Sequence, residues 1–219
     1  SNCDVETAYA FELAGAAAER IHVNRWLEMP QLAGDFQILC LPGGFSYGDD
    51  LGAGRILGNQ LRHHLSDALA AFRDQGKLIL GICNGFQVLT EMQLLPGALM
   101  RNAGLKFVCK TVELVVETTD SAFTAGYGKG AHIAVPVAHH DGNYTIDAEG
   151  LARLRGEDCI AFRYADNPNG AMDDIAGVLS ENRRVLGMMP HPERAADAVH
   201  GGSDGAAMFS GIMGGMALA

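Results

Sequence analysis

The architecture of this chain is indicated most directly by ten consecutive residues, Leu78-Ile79-Leu80-Gly81-Ile82-Cys83-Asn84-Gly85-Phe86-Gln87. A short apolar run ends at a cysteine that has one glycine two residues before it and another two residues after it. The run predicts a buried strand, and a helix-like segment follows it. A sharp strand-to-helix turn exposes its nucleophile and brings backbone N–H groups close to it. Cys83 is therefore a candidate catalytic nucleophile.

Strands and helices alternate on both sides of this turn. Apolar runs predict strands at residues 36–41, 77–82 and 185–189, and helical spacing predicts helices at residues 55–73 and 85–92. This order predicts an α/β fold of the flavodoxin-like or Rossmann-like type, a mostly parallel sheet with helices on both faces.

The middle of the chain has a different pattern. Shorter strands are predicted at residues 111–118, 132–138, 160–164 and 175–179, with turn residues between them, and these indicate a short antiparallel extension of the sheet. The prediction is completed by an Ala-rich helix at residues 4–19 with Ser1 or Asn2 near its cap, a strand at 21–23 and a closing helix at 203–216. No repeat or linker interrupts the chain, so residues 1–219 are predicted to form a single domain.

Composition excludes several classes of function. The chain of 219 residues is 48% hydrophobic and carries a net charge of -10, which argues against binding to nucleic acid or to an anionic membrane. No apolar run has the roughly 18–20 residues of a membrane-spanning helix, and no signal peptide is visible. The five cysteines are odd in number and form no Cys-x-x-Cys pair, so a cytoplasmic location is predicted, with neither disulfides nor a zinc site.

A thiol nucleophile needs a base, and the last apolar strand ends at one. His191 and Glu193 are two residues apart, and in an extended segment such residues point the same way. Glu193 can then orient the His191 ring, which serves as the base for Cys83.

The oxyanion of a tetrahedral intermediate needs N–H donors. One is the N–H of Asn84, directly after the nucleophile, and a second is available from the loop Pro42-Gly43-Gly44-Phe45. Because loops at the carboxyl ends of parallel strands meet at one edge of a sheet, this loop, Cys83 and the His191/Glu193 pair are predicted to converge.

Four segments of the chain together resemble a known family. Gly81-Ile82-Cys83-Asn84-Gly85-Phe86-Gln87 and Pro190-His191-Pro192-Glu193-Arg194 are similar to the class I, or triad, glutamine amidotransferases. With Pro42-Gly43-Gly44-Phe45-Ser46-Tyr47-Gly48-Asp49 and Asn167-Pro168-Asn169-Gly170, the chain resembles more narrowly the glutaminase subunits of phosphoribosylformylglycinamidine synthase.

The resemblance implies a reaction and its residues. Glutamine would be hydrolysed through a cysteinyl thioester, and the ammonia would pass to a synthetase subunit for purine biosynthesis. Cys83 would be the nucleophile, His191 the general base and acid, and Glu193 its orienting acid. Gly44 and Asn84 would form the oxyanion hole, and Gln87 and Phe45 would contact the substrate.

The resemblance also implies which partners the chain has. They would be glutamine, the synthetase subunit and a small accessory subunit, with ATP and Mg²⁺ bound by the synthetase. No cofactor such as ATP is expected on this chain, since no Gly-Lys-Ser/Thr follows its glycine pairs. No metal is expected either, since His139-His140-Asp141 lacks the spaced ligands of a zinc motif.

The chain departs from the family pattern in two places. Family members begin with a strand and a turn before the Ser-Asn-Cys-Asp segment, whereas this sequence begins at Ser1, so that strand is expected to be missing. Whether its absence is natural is open. His139-His140-Asp141-Gly142 replaces a His-x-Glu-Gly pattern, which puts the role of that loop in doubt.

The remaining candidate residues have less specific interpretations. Cys40, Cys109 and Cys159 are interpreted as structural cysteines, Cys3 as a helix-start residue, and His63-His64 as a surface pair. Two rival functions remain: a cysteine-based α/β-hydrolase, disfavoured because Glu193 follows His191, and a catalytically impaired regulatory subunit of the same complex.

Overall fold

The computed structural model describes residues 2–49 and 52–217. Its strands are β1 Ile38–Leu41, β2 Leu78–Ile82, β3 Ala98–Met100, β4 Val108–Val116, β5 His132–His139, β6 Asn143–Thr145, β7 Ile160–Tyr164, β8 Ile175–Leu179 and β9 Val185–Met188. Its α-helices are α1 Asp4–Leu13, α2 Val23–Glu28, α3 Arg55–His64, α4 Ser66–Asp74, α5 Asn84–Glu91, α6 Ala148–Gly156 and α7 Ala206–Ala217. Short 3₁₀ turns lie at Pro30–Asp35, Ser46–Asp49, Met172–Asp174, Pro192–Ala195 and Ala198–His200.

One sheet organises the described chain, in the order β1-β2-β9-β8-β7-β4-β5, and β3 pairs with β6 separately. β1, β2 and β9 run parallel, and the pairings from β9 through β8, β7 and β4 to β5 are antiparallel. The predicted α/β fold, with a parallel part and an antiparallel extension, is confirmed. The extension consists of the four strands predicted for it, β4, β5, β7 and β8, and short connections such as the one from β8 to β9 join antiparallel neighbours directly.

The parallel part contains two fully buried strands. Every residue of β2 and β9 is buried, whereas most of β1, at the edge of the sheet, is only half-buried. The carboxyl ends of these three strands lie side by side, as their register shows: Leu41 pairs with Gly81, and Ile82 with Met188. The loops that follow them therefore meet at one edge.

Three local predictions were wrong. Residues 21–23 form no strand, because the His22 ring accepts a hydrogen bond from Asn24 N–H and caps α2.

The helix predicted at 55–73 is two helices, since the backbone at buried Leu65 leaves the helical region. The first helix ends at Leu13 rather than near residue 19, shortly before Gly15 in a left-handed conformation. Its N-cap is Cys3, next to Asn2, and Ser1 lies outside the described residues.

Over the described residues, no helix is both long enough and apolar enough to cross a membrane.

Candidate active site

Cys83 lies at the turn between β2 and α5, in a strained conformation. Its φ of 49° and ψ of -103° are rare for a residue with a side chain, and such strain tends to be retained at functional sites. Its N–H donates to the carbonyl of Met188 at the end of β9, which fixes the turn against the neighbouring strand. The Sγ lies 3.7 Å from the carbonyl oxygen of Ala138.

The flanking glycines allow this turn to form. A Cβ on Gly85 would overlap the carbonyl oxygen of Leu41, and a Cβ on Gly81 would come within 2.8 Å of the Gly85 carbonyl. The first turn of α5 therefore passes directly over the ends of β1 and β2. The strand-to-helix turn predicted around Cys83 is present because both positions lack a side chain.

His191 and Glu193 form a buried pair. The Nδ1 of His191 lies 2.6 Å from Oε1 of Glu193, and each residue is only 1% exposed. The segment is a 3₁₀ turn over Pro192–Ala195 rather than an extended strand, so the predicted contact exists for a different backbone reason. Within the described structure Nε2 of His191 has no hydrogen-bond partner, which leaves it available for a thiol or a substrate.

The surroundings of His191 favour its charged form. Burial alone lowers its pKa, but the carboxylate of Glu193 and the nearby thiols of Cys3 and Cys83 outweigh burial and hold the pKa well above its usual value. A protonated imidazole near a thiol favours the thiolate, which is the nucleophilic form.

A second thiol lies against the same histidine. Sγ of Cys3 is 3.0 Å from Nη2 of Arg194, and donor atoms of Cys3, His191 and Glu193 lie within 4.8 Å of one another. These donors are already used inside the protein, and the guanidinium of Arg194 would repel a metal cation. The arrangement fits a histidine that lies between the Glu193 carboxylate and the Cys3 thiol better than it fits a metal centre.

The loop after β1 approaches the histidine from the other side. A Cβ on Gly43 would be 2.6 Å from Cε1 of His191, so the loop backbone packs directly on the ring. Gly44 has φ +118°, a conformation that glycine alone adopts easily. The predicted convergence of this loop with Cys83 and the His191/Glu193 pair is confirmed.

Hydrogen bonds connect the loop to α5. The side-chain oxygen of Asn84 accepts hydrogen bonds from the N–H and the hydroxyl of Ser46. The side-chain amide of Asn84 donates to the side-chain oxygen of Gln87. The side-chain amide of Gln87 donates in turn to the backbone carbonyl of Asp141. Both polar atoms of the Gln87 side chain are thus engaged within the protein. A direct contact between Gln87 and a substrate stays a prediction.

Phe45 is exposed at the rim of the site. Its ring lies 6.4 Å from that of Phe107, which in turn contacts the ring of exposed His140 at 5.1 Å. These three rings form an aromatic rim around the loop that carries Gly44.

A second buried histidine, His139, belongs to a structural network. Its Nδ1 lies 3.0 Å from Oδ1 of Asn102, and the same oxygen accepts a hydrogen bond from the N–H of Gly142. The side-chain amide of Asn169 donates to the Gly142 carbonyl. Burial first, and then the charge of His191, lower the pKa of His139 to about 4. A neutral His139 is therefore part of the folded state.

The protein is expected to lose stability in acid because of His139. The unfolded chain binds this proton near pH 6.5 and the folded chain near pH 4, so stability is lost as the pH falls between these values, by about 3 kcal/mol in total. Urea unfolding at pH 7, 5.5 and 4.5 measures the slope, which His139→Gln should flatten. An unchanged slope in His139→Gln, or an equal flattening in the exposed control His140→Gln, would contradict this.

Two residues near the site were not predicted from the sequence. Cys3 was interpreted only as a helix-start residue, and no role was predicted for Asn102. The Ser-Asn-Cys-Asp segment belongs to the family pattern and could have indicated that Cys3 lies near the site, whereas no local pattern distinguishes Asn102.

The sequence and structure are similar to characterised proteins. Residues 1–203 match the family model of the CobB/CobQ-like glutamine amidotransferase domain. The subunit PurQ of phosphoribosylformylglycinamidine synthase from Cereibacter sphaeroides is 56% identical over 218 residues, 100% of this chain and 95% of that protein. The subunit of the same name from Roseobacter denitrificans is 57% identical over 217 residues, covering 99% and 95%.

Solved structures give the same picture. A chain in the PurLQS structure from Thermotoga maritima superposes with a TM-score of 0.80 at 38% identity, covering 99% of this chain and 94% of that chain. The glutaminase domain of the Trypanosoma brucei CTPS, with bound acivicin, superposes with a TM-score of 0.61 at 16% identity, covering 100% and 89%. The second match concerns the fold alone.

Proposed function

The chain belongs to the glutamine amidotransferase family, as a glutaminase subunit of phosphoribosylformylglycinamidine synthase in purine biosynthesis, and we propose how its site hydrolyses glutamine. Cys83 is the nucleophile, His191 transfers protons, and Glu193 orients His191. The observation that carries the proposal is the buried His191/Glu193 pair beside a thiol held in a strained turn.

Attack on glutamine begins the reaction. The thiolate of Cys83 adds to the carbon of the side-chain amide, and the carbonyl becomes an oxyanion. The N–H groups of Gly44 and Asn84 stabilise that oxyanion. His191 then protonates the amide nitrogen, the C–N bond breaks, and ammonia leaves a thioester on Cys83.

Hydrolysis completes the cycle. His191, now neutral, removes a proton from water, which attacks the thioester carbon. The carbon–sulfur bond breaks, glutamate leaves, and the Cys83 thiolate and the protonated His191 are restored. The sum is glutamine and water giving glutamate and ammonia.

The ammonia is transferred to the synthetase subunit of the same complex, and we extend the proposal to a small accessory subunit. ATP and Mg²⁺ bind to the synthetase in this scheme. The aromatic rim around Phe45 lies at the mouth of the site, where a covering subunit would reduce loss of ammonia to water.

Comparing two nitrogen sources tests the function. The complex with the synthetase should form the amidine from glutamine, and the synthetase alone should form it only from ammonium salts. Glutamate release by this chain alone should be slow and should rise when the synthetase is added. Amidine formation from glutamine without this chain, or full glutaminase activity in its isolated form, would contradict the proposal.

A further inference from the structure

The segment that precedes α1 contacts the loop proposed to hold the oxyanion. The N–H of Cys3 donates to the carbonyl of Gly43 at 3.2 Å, and the N–H of Phe45 donates to Oδ1 of Asn2 at 3.3 Å. The Gly44 Cα lies so close that a Cβ there would overlap the backbone nitrogen of Asn2. We propose that Asn2 and Cys3 are positioning residues for the oxyanion hole, an inference that rests on the function proposed above.

The geometry of a peptide unit explains how they act. In a trans peptide the C=O and the N–H point in opposite directions. Because the Gly43 carbonyl is held by Cys3, the N–H of Gly44 in the same peptide is directed away from Cys3. A rotation of this peptide would exchange the donor for a carbonyl, which would repel an oxyanion.

The Gly43–Gly44 peptide needs such an anchor. Two successive glycines lack the Cβ atoms that restrict backbone rotation, and Gly44 already has a positive φ. The next donors in the loop are engaged, Phe45 N–H by Asn2 and Ser46 N–H by Asn84. In the described structure the N–H of Gly44 has no acceptor, so it is free to bind an oxyanion.

The anchor itself is fixed. Cys3 is 1% exposed, its carbonyl accepts from the Thr7 hydroxyl in α1, and its Sγ accepts from Arg194. Arg194 directly follows Glu193, so the same segment that carries the catalytic pair also holds the residue that anchors the loop. The oxyanion donor and the His191 ring therefore share one support.

Two variants at one position test the role of Asn2. In the complex with the synthetase, Asn2→Ala should lower kcat for glutamine hydrolysis about 10- to 100-fold with little change in KM, since an oxyanion donor contributes mainly in the transition state. Asn2→Ser keeps a neutral acceptor oxygen on the side chain and should retain a higher kcat than Asn2→Ala. The control Asn59→Ala removes an exposed asparagine whose Oδ1 accepts from Arg62, and it should have no effect.

Alkylation separates the positioning role from the proposed chemistry. Iodoacetamide reacts with the Cys83 thiolate by displacement of iodide, which forms no oxyanion. Asn2→Ala should therefore be alkylated at Cys83 at the wild-type rate while its kcat falls. Wild-type kcat in Asn2→Ala, a kcat in Asn2→Ser no higher than in Asn2→Ala, or an alkylation rate that falls with kcat would overturn the positioning role. Wild-type protein that stays active after complete alkylation of Cys83 would instead overturn the proposed function.

Discussion

Replacement of Cys83 by alanine is expected to lower glutamate release by at least about 10⁴-fold, because the proposed thioester forms on the Cys83 sulfur. The complex of Cys83→Ala with the synthetase should still form the amidine from ammonium salts at the wild-type rate. Steady-state assays with glutamine and with ammonium measure both reactions. Loss of the glutamine-dependent reaction with the ammonium-dependent reaction retained places the defect in glutamine hydrolysis rather than in folding or assembly.

Matched cysteine variants complete this test. Cys109→Ala removes an exposed thiol and Cys159→Ala a buried one, and neither should lower kcat. An electrophilic glutamine analogue such as diazo-oxonorleucine should label Cys83 alone. Labelling of Cys3, which also lies against His191, or residual turnover in Cys83→Ala above about 1% would assign the nucleophile to a different thiol.

Glu193→Gln is expected to lower kcat by about 10²- to 10⁴-fold, the range for an orienting acid replaced by its amide. The carboxylate is what keeps the pKa of buried His191 high. Without it, burial dominates and the His191 pKa falls, so the ring is less able to hold the proton that it transfers. NMR titration of the ring should place its transition well above pH 6.5 in the wild type and at lower pH in Glu193→Gln.

Stability measurements accompany this variant. Gln has nearly the shape of Glu, and Oε2 of Glu193 is buried without a hydrogen-bond partner, so the neutral amide should not unfold the protein. Glu181→Gln, at an exposed carboxylate, serves as the control. An unshifted His191 titration in Glu193→Gln, or equal loss of kcat in both variants, would refute the orienting role.

Sequence predicts the parts of the site that lie within a short segment. The apolar run before Cys83 and the two glycines around it are local patterns with direct physical meaning. The two-residue spacing of His191 and Glu193 predicted their contact, but the segment forms a 3₁₀ turn rather than the extended backbone on which that prediction rested. The convergence of their loops follows from the geometry of parallel strands. The amino-acid sequence alone is therefore sufficient to predict these parts.

Other parts depend on contacts between distant residues. Cys3 reaches Arg194 across nearly the whole chain, and no local pattern encodes that contact. At buried Leu65 the helix is interrupted, although the helical spacing of apolar residues continues through that position. At His22 a ring nitrogen accepts the N-cap hydrogen bond of α2, which is unusual for histidine. Tertiary packing overrides local preference in such cases.

The backbone conformation of Cys83 has a consequence for evolution. Glycine adopts a positive φ without steric cost, whereas a side chain there costs roughly 1–3 kcal/mol. If Cys83 is the nucleophile proposed above, a glycine at position 83 would make the turn easier to fold and abolish glutamine hydrolysis. Selection for catalysis retains a residue there that selection for folding alone would replace, and the rest of the sheet supplies the stability to tolerate it.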